Sequence, residues 1–408
     1  MTATEHSHAM GAPEALARCP IMPTYGPPPV MFVRGQGTEL WDREGKRYLD
    51  FLSGLAVTSL GHAHAVVADA IAAQARTLLH VSNLFGTEPQ VEVAQTLDRL
   101  VSGRAEPRGQ VFFCNSGGEA NECAIKLARK HGGRGKHVIV SAWRSFHGRT
   151  LATLHATGQP EKHEAFQPLP EGFRHAGWND LDDFVRMLDE SVAAVLLEPV
   201  QGEGGVNPGD PAFFQGLRRA CDQRGILLMI DEVQTGLGRT GEWFGFQHLG
   251  IEPDVVTMAK ALGNGVPIGA CWAKAEVAAA FKPGDHATTF GGQPLATAAA
   301  RAVLAVMQDI DAPTLATKRS AYLCDRLHAL PSVTGVRGLG LLLGVELDAE
   351  VLAGRLAKDV AAQCLDAGLV LNGITNTALR LAPPLTVSEA ELDEGVAILG
   401  GVLAGDRG

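Results

Sequence analysis

The chain has 408 residues, 46% of them hydrophobic, enough for one large core and a smaller second one, because single cores stop growing below about 300 residues. Its formal net charge of -10 gives no electrostatic reason for nucleic acid or an anionic membrane to be a partner, since both call for a concentrated basic surface. A small anionic substrate, met by a few local Arg or Lys, stays open.

Residues 1 to 20 are polar and short-sided and read as a loose arm. "MFVRGQGTELWDREGKRYLDFLSG" alternates apolar and polar positions between glycine turns, which predicts a small β-meander within a segment spanning 21 to 65. From about 66 to 300, apolar runs recur at "VFFCN", "HVIVS", "AAVLLE", "ILLMID", "VVTMA" and "PIGACWA". Helical stretches such as "EANECAIKLARKH", "LDDFVRMLDE" and "PAFFQGLRRACDQRG" separate several of them. Strands apolar throughout, alternating with helices, predict an α/β domain whose largely parallel sheet is covered on both faces. The last part, 301 to 408, opens on an Ala-rich helix, followed by "GVRGLGLLLGVEL" as a strand, a helix, and "LVLNGI" and "ALRLAP" as strands.

Ligands of such a sheet sit beyond the carboxyl ends of its strands. After "VFFCN", Ser116, Gly117 and Gly118 open a helix, whose free N–H groups and dipole make either an anion site or a plain capped turn. After "HVIVS" come Phe146, His147 and Arg149, an aromatic suited to stacking on a flat ring and a fork for a carboxylate, or else a core plug with a surface Arg. Glu198 ends "AAVLLE" and Glu203 lies in the glycine-rich loop beyond, two acids able to move protons or simply solvated. Asp231 closes "ILLMI" too deep for a surface acid, so it needs a cation facing it, and a protonated pyridine nitrogen is one. Gln234 is placed to hydrogen-bond a substituent of that ring. Lys260 follows "VVTMA", and an amine at an apolar strand end suits Schiff-base chemistry, which requires a lowered pKa. Lys126 and Lys274 rival it by residue type only. "HATTFGGQP" offers Thr288 and Thr289 as further donors to a phosphate.

Other patterns carry less. "GLGRTG" (236 to 241) satisfies a dinucleotide-binding string but leads into a poor helix start, and "GRGKH" lacks the spacing and hydroxyl of an ATP phosphate loop. The histidines of "GHAH" (His62, His64) and "HSH" (His6, His8) have no cluster to complete a metal site, so no metal is expected. The seven cysteines are odd in number and mostly sit in apolar stretches, as reduced thiols do. No apolar run reaches the roughly 18 residues of a membrane helix, and the first 20 residues show neither a secretory nor a transit pattern. The expectation is a soluble cytoplasmic protein.

"NSGGEANE", "FHGRT", "EPVQGEGGV", "IDEVQTGLGRTG", "AKALGNGVPIGA" and "TTFGGQPLA", in this order and spacing, resemble the class III (ω-amino) aminotransferases, most of all their acetylornithine branch. "WDREGKRYLDF", "LAVTSLGHAH" and "VSNLF" extend the likeness toward residue 20. The resemblance implies pyridoxal-phosphate fold type I: a large domain with a mostly parallel seven-stranded sheet flanked by helices, and a small α/β domain made from the N- and C-terminal parts. It implies pyridoxal 5'-phosphate on Lys260, Asp231 at the pyridine nitrogen, Gln234 near the phenolic oxygen and Phe146 stacked on the ring. It adds His147 and Glu198 to the cofactor site. The phosphate would be held by Ser116, Gly117 and Gly118, with Thr289 arriving from the partner of a homodimer that shares its active sites. Arg380 and Arg149 would take the carboxylates of glutamate or 2-oxoglutarate, Thr288 would touch substrate, and Glu203 would neutralise Arg380 while an ω-amino donor is bound. The implied reaction passes the terminal amine of N2-acetylornithine to 2-oxoglutarate, with succinylornithine, ornithine, acetyl-lysine-type and 4-aminobutyrate donors as alternatives. Two departures from the family pattern, Gly118 for Thr or Ala and Gln293 for Asn, bear on cofactor affinity.

Overall fold

The structure, a computed structural model, describes residues 20 to 405. The arm, with His6, His8 and Cys19, therefore lies outside the described residues but for Pro20. Strands β1 (Phe32–Gln36), β2 (Glu39–Asp42) and β3 (Arg47–Asp50) form the antiparallel meander, turning at Gly37 and Gly45, whose φ angles are 57° and 86°. The helices Ala65–Thr77 and Glu88–Ser102 lead into the large sheet.

Seven strands make that sheet: β4 (Gly109–Cys114), β5 (Val138–Ala142), β6 (Phe173–Ala176), β7 (Val192–Leu197), then, past the two-residue strands β8 (Val200–Gln201) and β9 (Asn207–Pro208), β10 (Leu227–Asp231), β11 (Val255–Met258) and β12 (Gly269–Lys274). Their order is β4-β12-β11-β10-β7-β5-β6. Every residue of β7 and β10 is buried, the reason these strands read as unbroken apolar runs. Alternate side chains serve opposite faces. Leu227 and Met229 pack with Cys123, Ala124 and Ile125 of the helix Gly117–Gly132. Leu228 and Ile230 pack in the cluster that holds Phe213, Phe214 and Leu217 of the helix Pro211–Arg224. That second helix starts on Asp210, whose side chain caps the Ala212 amide, and stops at Gly225 with φ 58°.

All neighbours pair in parallel except β12, antiparallel to both β11 and β4. Residues 259 to 268 hold only a 3-10 turn, Lys260–Leu262, too short for the crossover that a parallel return needs. The reversal brings the start of β12 back to the edge where β4, β5, β7, β10 and β11 end.

The rest of the chain is the helix Pro294–Asp309, the helix Ala312–His328, β13 (Val333–Leu339), β14 (Leu342–Leu347), the helix Ala357–Asp366, β15 (Leu369–Val370), β16 (Asn372–Gly373), β17 (Ala378–Leu381) and the helix Glu389–Ala404. β13, β14, β17 and β16 form one antiparallel sheet, while β15 pairs in parallel with β3, Leu369 opposite Leu49. The Glu389–Ala404 helix presses on the meander so closely that a Cβ on Gly395 would lie 2.3 Å from Phe51.

Several details differ from the sequence reading. "GVRGLGLLLGVEL" folds as a hairpin, β13 and β14, turning at Gly340 (φ 52°), where a Cβ would meet the Arg239 carbonyl at 2.4 Å. "LVLNGI" splits between two sheets. The Ala-rich helix starts at Pro294, so a division at residue 300 cuts through it. β6, "FRHA", sits at the sheet edge and carries no apolar run. The six cysteines among the described residues are free, and no helix there is long and apolar enough to cross a membrane.

"GLGRTG" opens no crossover helix. Its Arg239 is fully buried and faces three acceptors on separate segments: the carbonyls of Leu341 (3.0 Å) and Pro383 (2.5 Å) and the hydroxyl of Ser59 (3.0 Å). Arg239→Met keeps the volume and removes the donors, so chemical denaturation should show a loss of about 2–4 kcal/mol, as expected when buried acceptors lose their partner. A loss below about 0.5 kcal/mol would show that this clasp does not hold the segments together.

Candidate active site

At the shared edge the strand ends enclose a cavity of about 290 Å3, lined by Ser116, Gly117, Gly118, Phe146, His147, Glu198, Glu203, Asp231, Gln234 and Lys260 among others. Ten of the residues singled out by sequence thus meet in one place.

Asp231 is buried, and its Oδ2 accepts hydrogen bonds from Asn121 Nδ2 (2.7 Å) and His147 Nδ1 (2.8 Å), while Oδ1 accepts from the Val233 amide (3.0 Å). Asn121 is itself fixed: its amide also donates to the His147 carbonyl at 2.8 Å, and its oxygen accepts from Thr257 Oγ1 at 2.7 Å. Three side chains, from a helix, a loop and a strand, together with one loop amide, therefore hold one carboxylate in a single orientation toward the cavity. The adjacent Glu232 turns the other way. It accepts from Thr235 Oγ1 and the amides of Gly245 and Phe246, and burial raises it to about 7 despite those bonds. The two consecutive acids at this strand end thus divide, one facing the cavity and one tying the loop beneath it.

Lys260 stands at φ 43°, a left-handed conformation that a residue with a Cβ adopts at a cost. Burial first, then the Arg380 guanidinium, lowers its amine from 10.5 to about 8, against the pull of Glu203, Asp231 and Glu198. Glu198 accepts from the Phe146 amide at 3.2 Å; burial and the neighbouring Asp231 push its carboxyl well above the usual range, toward the neutral form.

Ser116 caps the helix Gly117–Gly132 by accepting from the Glu119 amide at 3.2 Å. The other first-turn amides are the orphan donors that every helix start presents. A Cβ on Gly117 would meet Val233 at 2.7 Å, so only glycine fits there. On Gly118 the nearest atom would be Ser116 Oγ at 3.9 Å; glycine here meets no steric demand and simply leaves room. A Cβ on Gly202 would stand 1.7 Å from Gln234 Oε1, so a side chain there would displace the Gln234 amide.

Arg380 is fully buried. Its Nη1 donates to Glu203 Oε1 at 2.5 Å and lies 3.5 Å from Gln234 Oε1, its Nε donates to Asn372 Oδ1 at 3.2 Å, and its Nη2 has no partner among the described residues. Burial raises Glu203, but Arg380 outweighs it and draws the carboxyl below its usual range. Arg149 is exposed, its guanidinium 5.2 Å from the Phe146 ring at the cavity mouth. Thr289 is exposed in a separate recess beside His80, Ser82 and Asn83, and Thr288 Oγ1 lies 3.5 Å from Asn115 Nδ2.

Asn121 and Asn115 also line the cavity and escaped the sequence reading. The signal for Asn121 was a helix-poor amide inside an Ala- and Cys-rich helix. His62, read from sequence as lacking the cluster for a metal site, hydrogen-bonds Asp50 at 2.7 Å. Lys126 and Lys274 are engaged elsewhere, with Asp285 and Asp254.

These groups fit pyridoxal phosphate. A buried carboxylate with its protein donors already satisfied faces the cavity, an aromatic borders it, a glycine-rich helix start suits a phosphate, and one amine of lowered basicity stands among them.

A family model described as aminotransferase class III matches residues 21–403. The acetylornithine aminotransferase of Gloeobacter violaceus is 52% identical over 396 residues, covering 94% of this chain and 96% of that one. The succinylornithine transaminase of Salmonella typhimurium is 44% identical, covering 92% of each. Among solved structures, the ornithine aminotransferase of Toxoplasma gondii, whose active site holds partially occupied PLP, superposes with a TM-score of 0.89 at 30% identity, over 97% of this chain and 94% of that one.

A lysine at about 8 is half charged near that pH and mostly the free amine above it. Capture of added pyridoxal phosphate by cofactor-free protein, followed by visible absorbance, should therefore accelerate from pH 6.5 and level off above about 8 to 9, and Lys260→Ala should capture none. A rate flat across that range, or covalent capture by the alanine variant, would remove Lys260 from this role.

Proposed function

This chain belongs to the class III aminotransferases, and we propose that it transfers the terminal amino group of N2-acetyl-L-ornithine to 2-oxoglutarate, giving N-acetylglutamate 5-semialdehyde and glutamate, a step of arginine biosynthesis. It is a pyridoxal-phosphate-dependent transaminase. The observation that carries the substrate reading is the Glu203–Arg380 pair, set beside Lys260 with Arg149 beyond it.

Pyridoxal phosphate, when bound, supplies an electron-accepting ring that carries the amino group from donor to acceptor. Ser116, Gly117 and Gly118 would hold its phosphate, Phe146 would cover a face of the ring, and Gln234 would meet its phenolic oxygen. Asp231 would hold the proton on the pyridine nitrogen, its own orientation fixed by Asn121 and His147. Lys260 Nζ, the amine in the cavity, would move the proton between the amine-bearing carbon of the substrate and the bound group, in opposite directions in the two half-reactions.

A donor whose reacting amine is terminal brings its carboxylate only as far as Arg149. Arg380 would then face an apolar chain as an uncompensated buried charge, which Glu203 prevents. With glutamate or 2-oxoglutarate the α-carboxylate takes the place of Glu203 on Arg380, and the far carboxylate reaches Arg149. One site thus serves two substrates of different length.

The dimer belongs to the same proposal. Leu84, Phe85 and Phe290 are 87%, 68% and 58% exposed, and Asn83 joins their loops by donating to the Gly291 carbonyl at 2.9 Å. So much apolar surface beside the exposed Thr289 suits a second copy, with Thr289 and Thr288 reaching toward its neighbour. Light scattering of holoenzyme should give twice the chain mass, and Leu84→Glu with Phe85→Glu should lower it toward one chain; a monomeric wild type would rule out the shared site.

A panel of donors with 2-oxoglutarate tests the substrate. The kcat/KM for N2-acetylornithine should exceed those for ornithine and 4-aminobutyrate by about tenfold or more, since a pocket shaped for an acyl group leaves polar groups unmet without it. Preference for either unacylated donor would move the chain to another branch of the family.

A further inference from the structure

When the Glu203–Arg380 pair parts, a carboxylate has to be housed, and the fold has a place beside it. Glu203 stands on the wall between two cavities. One is the substrate cavity; the other, of about 290 Å3, is lined by Trp143, Arg144, Gln159, Glu161 and Ile374 among others. The Glu203 side chain is one-third exposed and sits in the loop between β8 and β9, free to rotate toward either.

On the far wall Arg144 is fixed at its base. Its amide donates to the Gly158 carbonyl at 2.6 Å, and Gln201 Nε2 donates to the carbonyl of the preceding Trp143 at 2.9 Å. A Cβ on Gly204 would lie 2.9 Å from the Arg144 carbonyl, so the loop that carries Glu203 rests directly on this residue. The backbone of Arg144 stands at φ 67°, a left-handed conformation that costs a residue with a Cβ. Its guanidinium, by contrast, is exposed and in no salt bridge or side-chain hydrogen bond among the described residues. Glu161, the other acid on that wall, is in no salt bridge there either. Lys162 also attracts Glu203, but its ammonium donates to Gln159 Oε1 and it does not line the cavity. Away from Arg380, the Glu203 carboxylate keeps the repulsion of Glu198 and loses its strongest attraction. A guanidinium in the adjoining cavity restores a partner.

Resting on the reading of the Glu203–Arg380 pair above, we propose that Arg144 is a positioning residue: it receives the Glu203 carboxylate each time an α-carboxylate displaces it from Arg380. Arg144 thereby stabilises the open arrangement that glutamate and 2-oxoglutarate need. The closed arrangement, which a donor with a terminal amine uses, does not call on it. Its effect on substrate passes wholly through Glu203.

Single-turnover reaction of holoenzyme with L-glutamate, followed by the visible absorbance of the bound cofactor over a range of concentrations, gives an apparent Kd and a limiting rate. Arg144→Met should raise the apparent Kd about fivefold, the upper range for an ion pair with an exposed member, and keep the limiting rate within about twofold of wild type. Arg144→Lys should recover most of the affinity. With N2-acetylornithine the loss should be smaller, because Glu203 stays on Arg380 in that half-reaction. Glu203→Ala supplies the background that a merely structural role would ignore: with no carboxylate to house, adding Arg144→Met should change the glutamate Kd by less than about 1.5-fold. An unchanged glutamate Kd in Arg144→Met, or an equal loss for both amino donors, overturns the proposal. So does a loss that persists in the Glu203→Ala background, since Arg144 would then act on the substrate itself. The donor reading fails elsewhere: holoenzyme that reacts with glutamate and not with N2-acetylornithine would refute it, while the paired variants, read on glutamate alone, still decide the role of Arg144.

Discussion

A carboxylate buried at the end of a central strand is the constraint on which the site depends. A carboxylate at that depth loses its hydration and needs hydrogen bonds or a counter-charge in exchange. The protein answers with directed hydrogen bonds from Asn121, His147 and the Val233 amide, and leaves the remaining compensation to whatever cation occupies the cavity. Thr257 and the His147 carbonyl anchor Asn121 in turn, so the orientation of one acid is distributed over four elements. Fixing the acceptor in advance removes a reorganisation that a solvated carboxylate would undergo.

The sheet then determines what can stand near that acid. Parallel strands put their carboxyl ends on one edge, and the reversed β12 turns the chain back at the same edge, so that Lys260 emerges in the loop between β11 and β12. That loop is short and holds its lysine in a left-handed conformation, a local strain tolerated because β11 and β12 are both buried in the core. The same geometry lowers the amine's basicity: the lysine is desolvated, and Arg380 adds a like charge that Glu203 and Asp231 only partly offset.

The strands of the large sheet were legible because burial on both faces leaves an unbroken apolar run, as in β7 and β10, and because acids and an amine are conspicuous at the ends of such runs. Three kinds of feature were not. β6 is an edge strand whose Arg and His residues hide it, and the β13–β14 turn lies within a run whose apolar character never lapses. Asn121 looks like any helical polar residue until the fold places β10 beneath it. Arg239, within a string that imitates a nucleotide-binding loop, is a buried clasp to Leu341, Pro383 and Ser59; nothing local announces partners more than 100 residues away in sequence.

The distribution of charge around the cavity follows a gradient from compensated to open. Deepest lies Asp231, its donors all protein groups. Next comes Arg380, fully buried and balanced by a single acid, Glu203, that sits in a loop and is one-third exposed, so the pair can part when another carboxylate arrives. Outermost is Arg149, exposed 5.2 Å from the Phe146 ring and in no salt bridge among the described residues. In a chain with net charge -10, a guanidinium without a carboxylate partner at the cavity mouth is a local inversion of the overall field, and it draws anions to that opening. Each step outward shifts the duty of neutralising charge from the fold to the ligand.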